Sequence, residues 1–442
     1  MTVDRSPGAC ERSKSKGLAL SERSESKGLR GPLMKFLKTR LAIMMFIQYV
    51  IWGAWYVTIT TYLTQTLNFT GTQAGLVFST VSLASLVSPF FVGLIADRFF
   101  ATERVMAFLY IVSAVLLYLA TKVTTFSGVF WVMLVFCLAY FPTVGLTNSI
   151  TMQSVKDPGR DFPPIRVLGT LGFIVAVSFV SLNKLENTNS QFMVGAVAAV
   201  VMAIYSITSL PHTPPPALGQ KVTWQRAVGL DTLSMMKQTN FMIFIIASIL
   251  ACIPLTFYYS FANASLNDLR VPNAGFMMTL GQWAEVVMLL AMPALFRFVS
   301  IRGVLLLGLA SWTLRYVLLA YGNGDAGIWM FYLAILLHGN CYDFFFVAGQ
   351  LYTDQEAPAH LRSSAQGFIA FVTYGVGMYM GSVLSGVARD YFPTWQSFWL
   401  SSAIMSAAIM LLVLFFFRSK TMIRAKDKGS IPAPEPAAVP GA

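Results

Sequence analysis

Charge is what this 442-residue chain has least of. Asp, Glu, Lys and Arg together make up 11%, where a soluble domain carries roughly 25%, so they are too few to coat a water-facing surface. Hydrophobic residues supply 56%. A soluble globule is excluded, and so is disorder outside the two polar ends. Cysteine is scarce as well: of Cys10, Cys137, Cys252 and Cys341, three lie inside apolar runs. None is spaced for a disulfide frame or a metal site. A P-loop, a zinc-ligand spacing and a nucleophile elbow are all missing. ATP-driven transport and hydrolase chemistry therefore lack their parts. No enzyme activity, cofactor or metal is expected.

What remains is long apolar sequence. Between Arg40 and Asp97 lie 56 residues without a charge, enough for two bilayer crossings of about 20 residues each. The polar run from Thr64 to Gln73 separates them. Nothing shows the period-two alternation of a membrane β-barrel. The pattern predicts an all-α integral membrane protein with twelve spans, at 41–66, 73–97, 104–122, 127–151, 163–183, 190–210, 239–266, 273–297, 302–322, 326–353, 362–389 and 393–417. Two six-helix bundles, 41–210 and 239–417, are expected on either side of a polar linker at 211–238. Residues 1–40 and 418–442 read as disordered cytoplasmic tails, the first carrying a Ser-rich repeat (Glu11 to Leu18, then Glu22 to Leu29) that cannot bury a core. No secretory signal pattern precedes the first span.

Lys and Arg orient the bundle. With both termini cytoplasmic, the tails, linker and same-side loops hold 25 of the 31 basic residues. Lys122, Lys184, Arg270 and Arg389 fall on the other side, and Arg166 and Arg315 lie within spans. The net charge of +12 is thus a topology signal, and no nucleic-acid partner is implied. The expected partner surface is the lipid bilayer, and the expected assembly a monomer.

Ionisable residues at mid-bilayer are functional-site hypotheses by default. Arg166 (span five), Glu285 (span eight), Arg315 (span nine) and Asp343 (span ten) qualify. The acids are candidate proton carriers, because burial favours a neutral carboxyl and a nearby arginine favours the anion. A static arginine–carboxylate pair is the bland alternative, above all for Arg315. Arg166, Thr170 and Phe173 share one helix face at i, i+4 and i+7, a cation, a hydroxyl and a ring suited to a flat, oxygen-rich ligand. If Phe162-Pro163-Pro164 starts that helix, Arg166 could equally snorkel to the interface. Gln282 and Glu285 share a face, as do His338 and Tyr342. Pro254, followed by Tyr258 and Tyr259, predicts a kink of the kind found at transporter sites. Gln48, Trp52 and Trp55 line span one, as site or as packing. Gly375, Gly377, Gly381 and Gly386 on span eleven predict tight helix contact.

The loop from Gly93 to Arg104, with Asp97-Arg98, resembles the conserved-type loop of the major facilitator superfamily, with Phe100 where glycine is usual. A narrower likeness spans about Lys35 to Arg418. The stretches Asp161 to Phe173, Trp312 to Arg315 with Ala320 to Gly322, Tyr342 to Phe345, Arg362 to Gly367 and Trp395 to Trp399 together resemble bacterial nucleoside–proton symporters. That resemblance implies proton-driven nucleoside uptake across the bacterial inner membrane by alternating access. It implies substrate contacts at Arg166, Thr170, Phe173, Gln282, Glu285 and Tyr342, and Tyr258, Tyr259 and His338 are expected to join them in binding the substrate. Asp343 and Glu285 become the proton-coupling acids and Asp97 and Arg98 a conformational latch. The likeness departs at His338, where an aromatic ring is usual, and on span seven, where amides are replaced by Thr256, Tyr258 and Tyr259. The rival readings are a proton symporter of another polar solute, such as a sugar, and a non-transporting membrane receptor.

Overall fold

The computed structural model describes residues 36–91, 101–213 and 230–419. Cys10, the N-terminal repeat, the Asp97-Arg98 motif, most of the linker and most of the C-terminal tail lie outside them. The described residues are helical with no strand.

The first helix, α1, covers 36–66. It is regular over 36–53, loosens at 54–58, and ends in a wider π-type turn at Tyr62–Thr66. There follow α2 (Gly71–Phe91), α3 (Thr102–Ala120), α4 (Phe126–Ser154), α5 (Pro158–Leu182) and α6 (Ser190–Thr208). A short 3-10 helix at Leu230–Lys237 leads into α7 (Thr239–Asp268), α8 (Ala274–Leu295), α9 (Ile301–Tyr321), α10 (Ile328–Glu356), α11 (Ser364–Tyr391) and α12 (Trp395–Phe416). Among the described residues, the ten helices from α3 to α12 are long and apolar enough to cross a membrane.

One detail differs from the sequence reading. Helix α5 begins a turn earlier than Pro163, because Asp157 accepts the Arg160 amide at 3.2 Å as an N-cap and Pro158 takes the first position, where proline costs nothing. Arg166 therefore sits more than two turns inside the helix. Pro254 does not interrupt α7, which runs helical from Thr239 to Asp268. The Pro254 carbonyl instead accepts the Tyr316 hydroxyl from α9. The breaks come elsewhere, in α1 at 54–58 and in α10, which loosens at Leu337 and widens to a π-type turn over Asp343–Val347.

The packing repeats itself. Helix α3 lies along α6 and α9 along α12, while α2 runs beside α11 and α5 beside α8 across the middle. The glycines explain how closely α2 and α11 approach. A Cβ on Gly75 would lie 2.5 Å from the Ser382 carbonyl oxygen and 2.8 Å from Gly386 Cα. Outward-facing Phe108, Ile204, Ile404 and Phe415 meet lipid, where apolar exposure is no penalty. Cys137, Cys252 and Cys341 are buried and unpaired.

Candidate functional site

The polar heart of the second six helices is built on Arg315, fully buried on α9. Its guanidinium carbon lies 3.4 Å from the centre of the Tyr258 ring, and its Nη1 is 3.0 Å from His338 Nδ1. His338 stacks beside Tyr258 at 5.7 Å, meets Tyr259 edge-on at 5.9 Å and stacks near Tyr342 at 6.3 Å. The Tyr342 hydroxyl reaches that of Tyr374 at 2.8 Å. On its other side, His338 Nε2 lies 3.9 Å from Glu285 Oε2. Close approach of α8 and α10 permits this: a Cβ on Gly339 would lie 2.6 Å from the Ala284 carbonyl. Four of the expected residues, Tyr258, Tyr259, His338 and Tyr342, thus form one aromatic cluster with Glu285 at its edge.

Asp343 is buried next in line, and among the described residues neither of its carboxyl oxygens has a hydrogen-bond partner. It lies within electrostatic reach of Glu285. Gln282 stands one turn from Glu285. In the amide orientation that satisfies both of its atoms, its nitrogen donates to the Met278 carbonyl at 3.0 Å, within its own helix.

From the first six helices, Arg166 on α5 places its guanidinium carbon 4.2 Å from the centre of the Tyr49 ring and within electrostatic reach of Glu285. Phe173, two turns on, is buried edge-on to Trp52 at 6.4 Å, and Thr170 is half-buried between them. Trp52 packs on Tyr56 at 5.6 Å, and Tyr56 faces Tyr259 of α7 at 6.2 Å. The two clusters therefore meet, ring to ring, at the middle. Sequence reading missed Tyr49 and Tyr56, although with Trp52 they form an aromatic stripe at i, i+3 and i+7 on α1. Among the described residues, the Trp52 indole nitrogen and the Tyr56 and Tyr259 hydroxyls have no hydrogen-bond partner, so this seam offers polar atoms between aromatic faces. Gln48, by contrast, is packed away, bonded to Thr143 at 3.1 Å and to the Tyr110 hydroxyl.

The expected latch at Asp97 and Arg98 lies outside the described residues. A different set of ties joins the two sets of helices at the end opposite the linker. Glu186, in the α5–α6 loop and buried, accepts from Asn263 Nδ2 at 2.9 Å, Asn267 Nδ2 at 2.6 Å and the Gly275 amide at 2.8 Å. Asp390 of α11 caps α2 through the Gly71 and Thr72 amides at 2.6 and 2.8 Å. Gln65 donates to Asp268 at 2.7 Å. A cavity of about 780 Å³ lies at the linker-side end of α7, α10 and α12, lined by Gln238, Asn240, Tyr352, Glu356 and Arg418. None of the described candidate residues lines it.

Residues 34–422 match the sequence profile of a family described as "Nucleoside H+ symporter". The xanthosine permease of Escherichia coli (strain K12) is 35% identical over 86% of this chain and 95% of its own. The nucleoside permease NupG of the same organism is 31% identical over 87% and 96%. The crystal structure of NupG superposes with a TM-score of 0.81, covering 87% of this chain and 100% of that one.

Proposed function

The chain belongs to the nucleoside H+ symporter family, and on that premise we propose that its nucleoside site is the aromatic seam between α1 and α5 on one side and α7, α8 and α10 on the other. It is a proton-coupled nucleoside transporter of the major facilitator fold and not an enzyme. The sugar-symporter and receptor readings give way to that membership.

The single observation that supports the site is the convergence of Arg166 and Glu285 from opposite sides of the seam, with Phe173, Tyr258 and Tyr259 behind them. In this reading Phe173 and the tyrosines hold the base by its faces. Arg166, Thr170, Gln282 and Glu285 bind the polar rim, with His338 and Tyr342 closing the second side. Asp343 is the favoured coupling acid. Among the described residues, the ion pairs within 4 Å do not include it, so its proton can come and go without breaking one. Residues 41–210 and 239–417 act as the two bodies that rock about the site, with 211–238 as linker and the 1–40 and 418–442 tails outside the bundle. The ties at Glu186, Asp390 and Gln65 close the far end, so the site opens toward the linker. The protein works as a monomer in a bacterial inner membrane with both termini cytoplasmic, as the 25-of-31 bias of basic residues supports.

The test is uridine binding by purified protein and by Arg166→Ala. A charge-assisted hydrogen bond contributes about 1.5–3 kcal/mol, so affinity should fall by about tenfold to a hundredfold. An unaltered affinity would leave Arg166 an anchor against Tyr49 and move the site elsewhere.

A further inference from the structure

Arg315 is a buried cation bonded to an imidazole. Its Nη1 lies 3.0 Å from His338 Nδ1, and the described ion pairs within 4 Å do not include it. A guanidinium carries only donors and stays charged in proteins. The hydrogen bond therefore has one possible direction: Arg315 donates, and His338 Nδ1 must present a lone pair. A neutral imidazole with a bare Nδ1 carries its proton on Nε2. That nitrogen is the one 3.9 Å from Glu285 Oε2.

We propose that Arg315 is a positioning residue, which locks His338 as the neutral Nε2–H tautomer and makes it a fixed donor on the Glu285 side of the site. A second proton on Nδ1 would point N–H against N–H and set two positive charges side by side. His338 therefore takes no proton in this conformation, and proton carriage falls to the carboxyl groups. The other groups facing the pair agree. Tyr258 and Tyr259 from α7, Tyr316 from α9, and Cys341 and Tyr342 from α10 are neutral neighbours. Glu285 from α8 would favour an imidazolium, and its Oε2 stands 3.9 Å from Nε2, beyond hydrogen-bond distance, while Arg315 stands within it at 3.0 Å from Nδ1. Arg166 and Asp343 act on Glu285. The proposal rests on the site reading above only for what the donor faces; the tautomer follows from Arg315 alone.

The chain has three histidines, His212, His338 and His360, so nitrogen NMR of the full-length protein with labelled imidazoles can resolve each, and His338→Gln identifies the signal that disappears. The expected result is an Nε2–H imidazole at His338 whose shifts stay fixed from pH 5.5 to 7.5, whereas an unrestrained histidine titrates near about 6.5. In Arg315→Gln the same signal should begin to titrate. A wild-type His338 that is protonated on Nδ1, or that titrates in this window, overturns the proposal even if Arg315→Gln fails to fold. In transport, His338→Gln should raise KM while leaving uptake sensitive to an uncoupler. Uptake that is no longer driven by the gradient would mean that His338 carries the proton, and would overturn the proposal too. The spectrum does not depend on which solute is carried, so a failed nucleoside assay and a failed tautomer are separate results.

Discussion

Gln48 and Arg315 are both polar, both completely buried and both mid-helix, one in each set of six helices, yet their surroundings differ in kind. Gln48 is closed in by neutral partners. Its nitrogen donates to Thr143, its side-chain oxygen accepts from Tyr110, and its main-chain carbonyl accepts from Tyr140 at 2.5 Å. Arg315 is bonded to His338 and lies against the Tyr258 and Cys341 side chains, while among the described residues both Asp343 oxygens and Glu285 Oε2 find no hydrogen-bond partner. The first six helices do hold unsatisfied atoms, among them those of Trp52, Trp55, Tyr56, Thr60 and Asn148, but these cannot change charge near neutral pH. A saturated neutral network resists rearrangement, whereas buried ionisable groups with few bonds change energy steeply whenever a proton or a ligand arrives. One side of the seam is therefore built as a frame and the other as the responsive element, a division that suits a carrier in which proton and nucleoside must be sensed together.

The severest test of that division is Asp343→Asn. Asparagine keeps the shape and removes the titration, so uphill accumulation of uridine in proteoliposomes should be abolished and its concentration ratio should fall to unity under an inward proton gradient. Exchange of labelled for unlabelled uridine at equal concentrations should persist. Accumulation at the wild-type level would remove Asp343 from coupling and erase the contrast between the two sides.

Glu186 sharpens the comparison, because it is an acid that the structure does satisfy. It comes from the first six helices and is held by donors of the second, two amides and a main-chain N–H at the start of α8, where the helix dipole also favours an anion. A carboxylate so well bonded should act as a tie between the two sets of helices. Removing charged hydrogen bonds costs about 1.5–3 kcal/mol. Glu186→Ala should therefore open the far end and speed labelling of a Thr60→Cys reporter, at a buried position of α1, by an impermeant thiol reagent by about tenfold, since 1.4 kcal/mol is a factor of ten. Transport should remain gradient-driven. Loss of coupling with unchanged labelling would reverse the roles of Glu186 and Asp343.

How much of this was legible beforehand follows the same physics. Spans show in one dimension, because a bilayer forbids charge for about 20 residues at a time, and Arg166, Glu285, Arg315 and Asp343 stood out against that background. The faces pairing Arg166 with Phe173 and His338 with Tyr342 followed from helical period alone. Partnerships did not. Nothing in the sequence distinguishes Glu186 from an ordinary loop acid, since its three donors come from residues 263 to 275. Tyr56 needs the approach of α7 to become part of a site. The breaks in α1 and α10 sit where no proline marks them. Asp157 was read as loop, although its side chain moves the start of α5 and carries Arg166 deeper into the helix.

The smallest effect should come from Gln48, and its smallness carries the argument. Gln48→Leu removes a donor and an acceptor at once, leaving the Tyr110 hydroxyl and Thr143 to find other partners, while the Tyr140 bond to the main-chain carbonyl survives. An orphaned buried hydroxyl costs about 1–3 kcal/mol, so the melting temperature should fall measurably. The pH dependence of uridine uptake should keep its shape, because no group in that network changes charge. If Gln48→Leu moved the pH profile while leaving stability untouched, the neutral frame would itself be part of the coupling path, and the separation of frame from responsive element would fail on its quieter side.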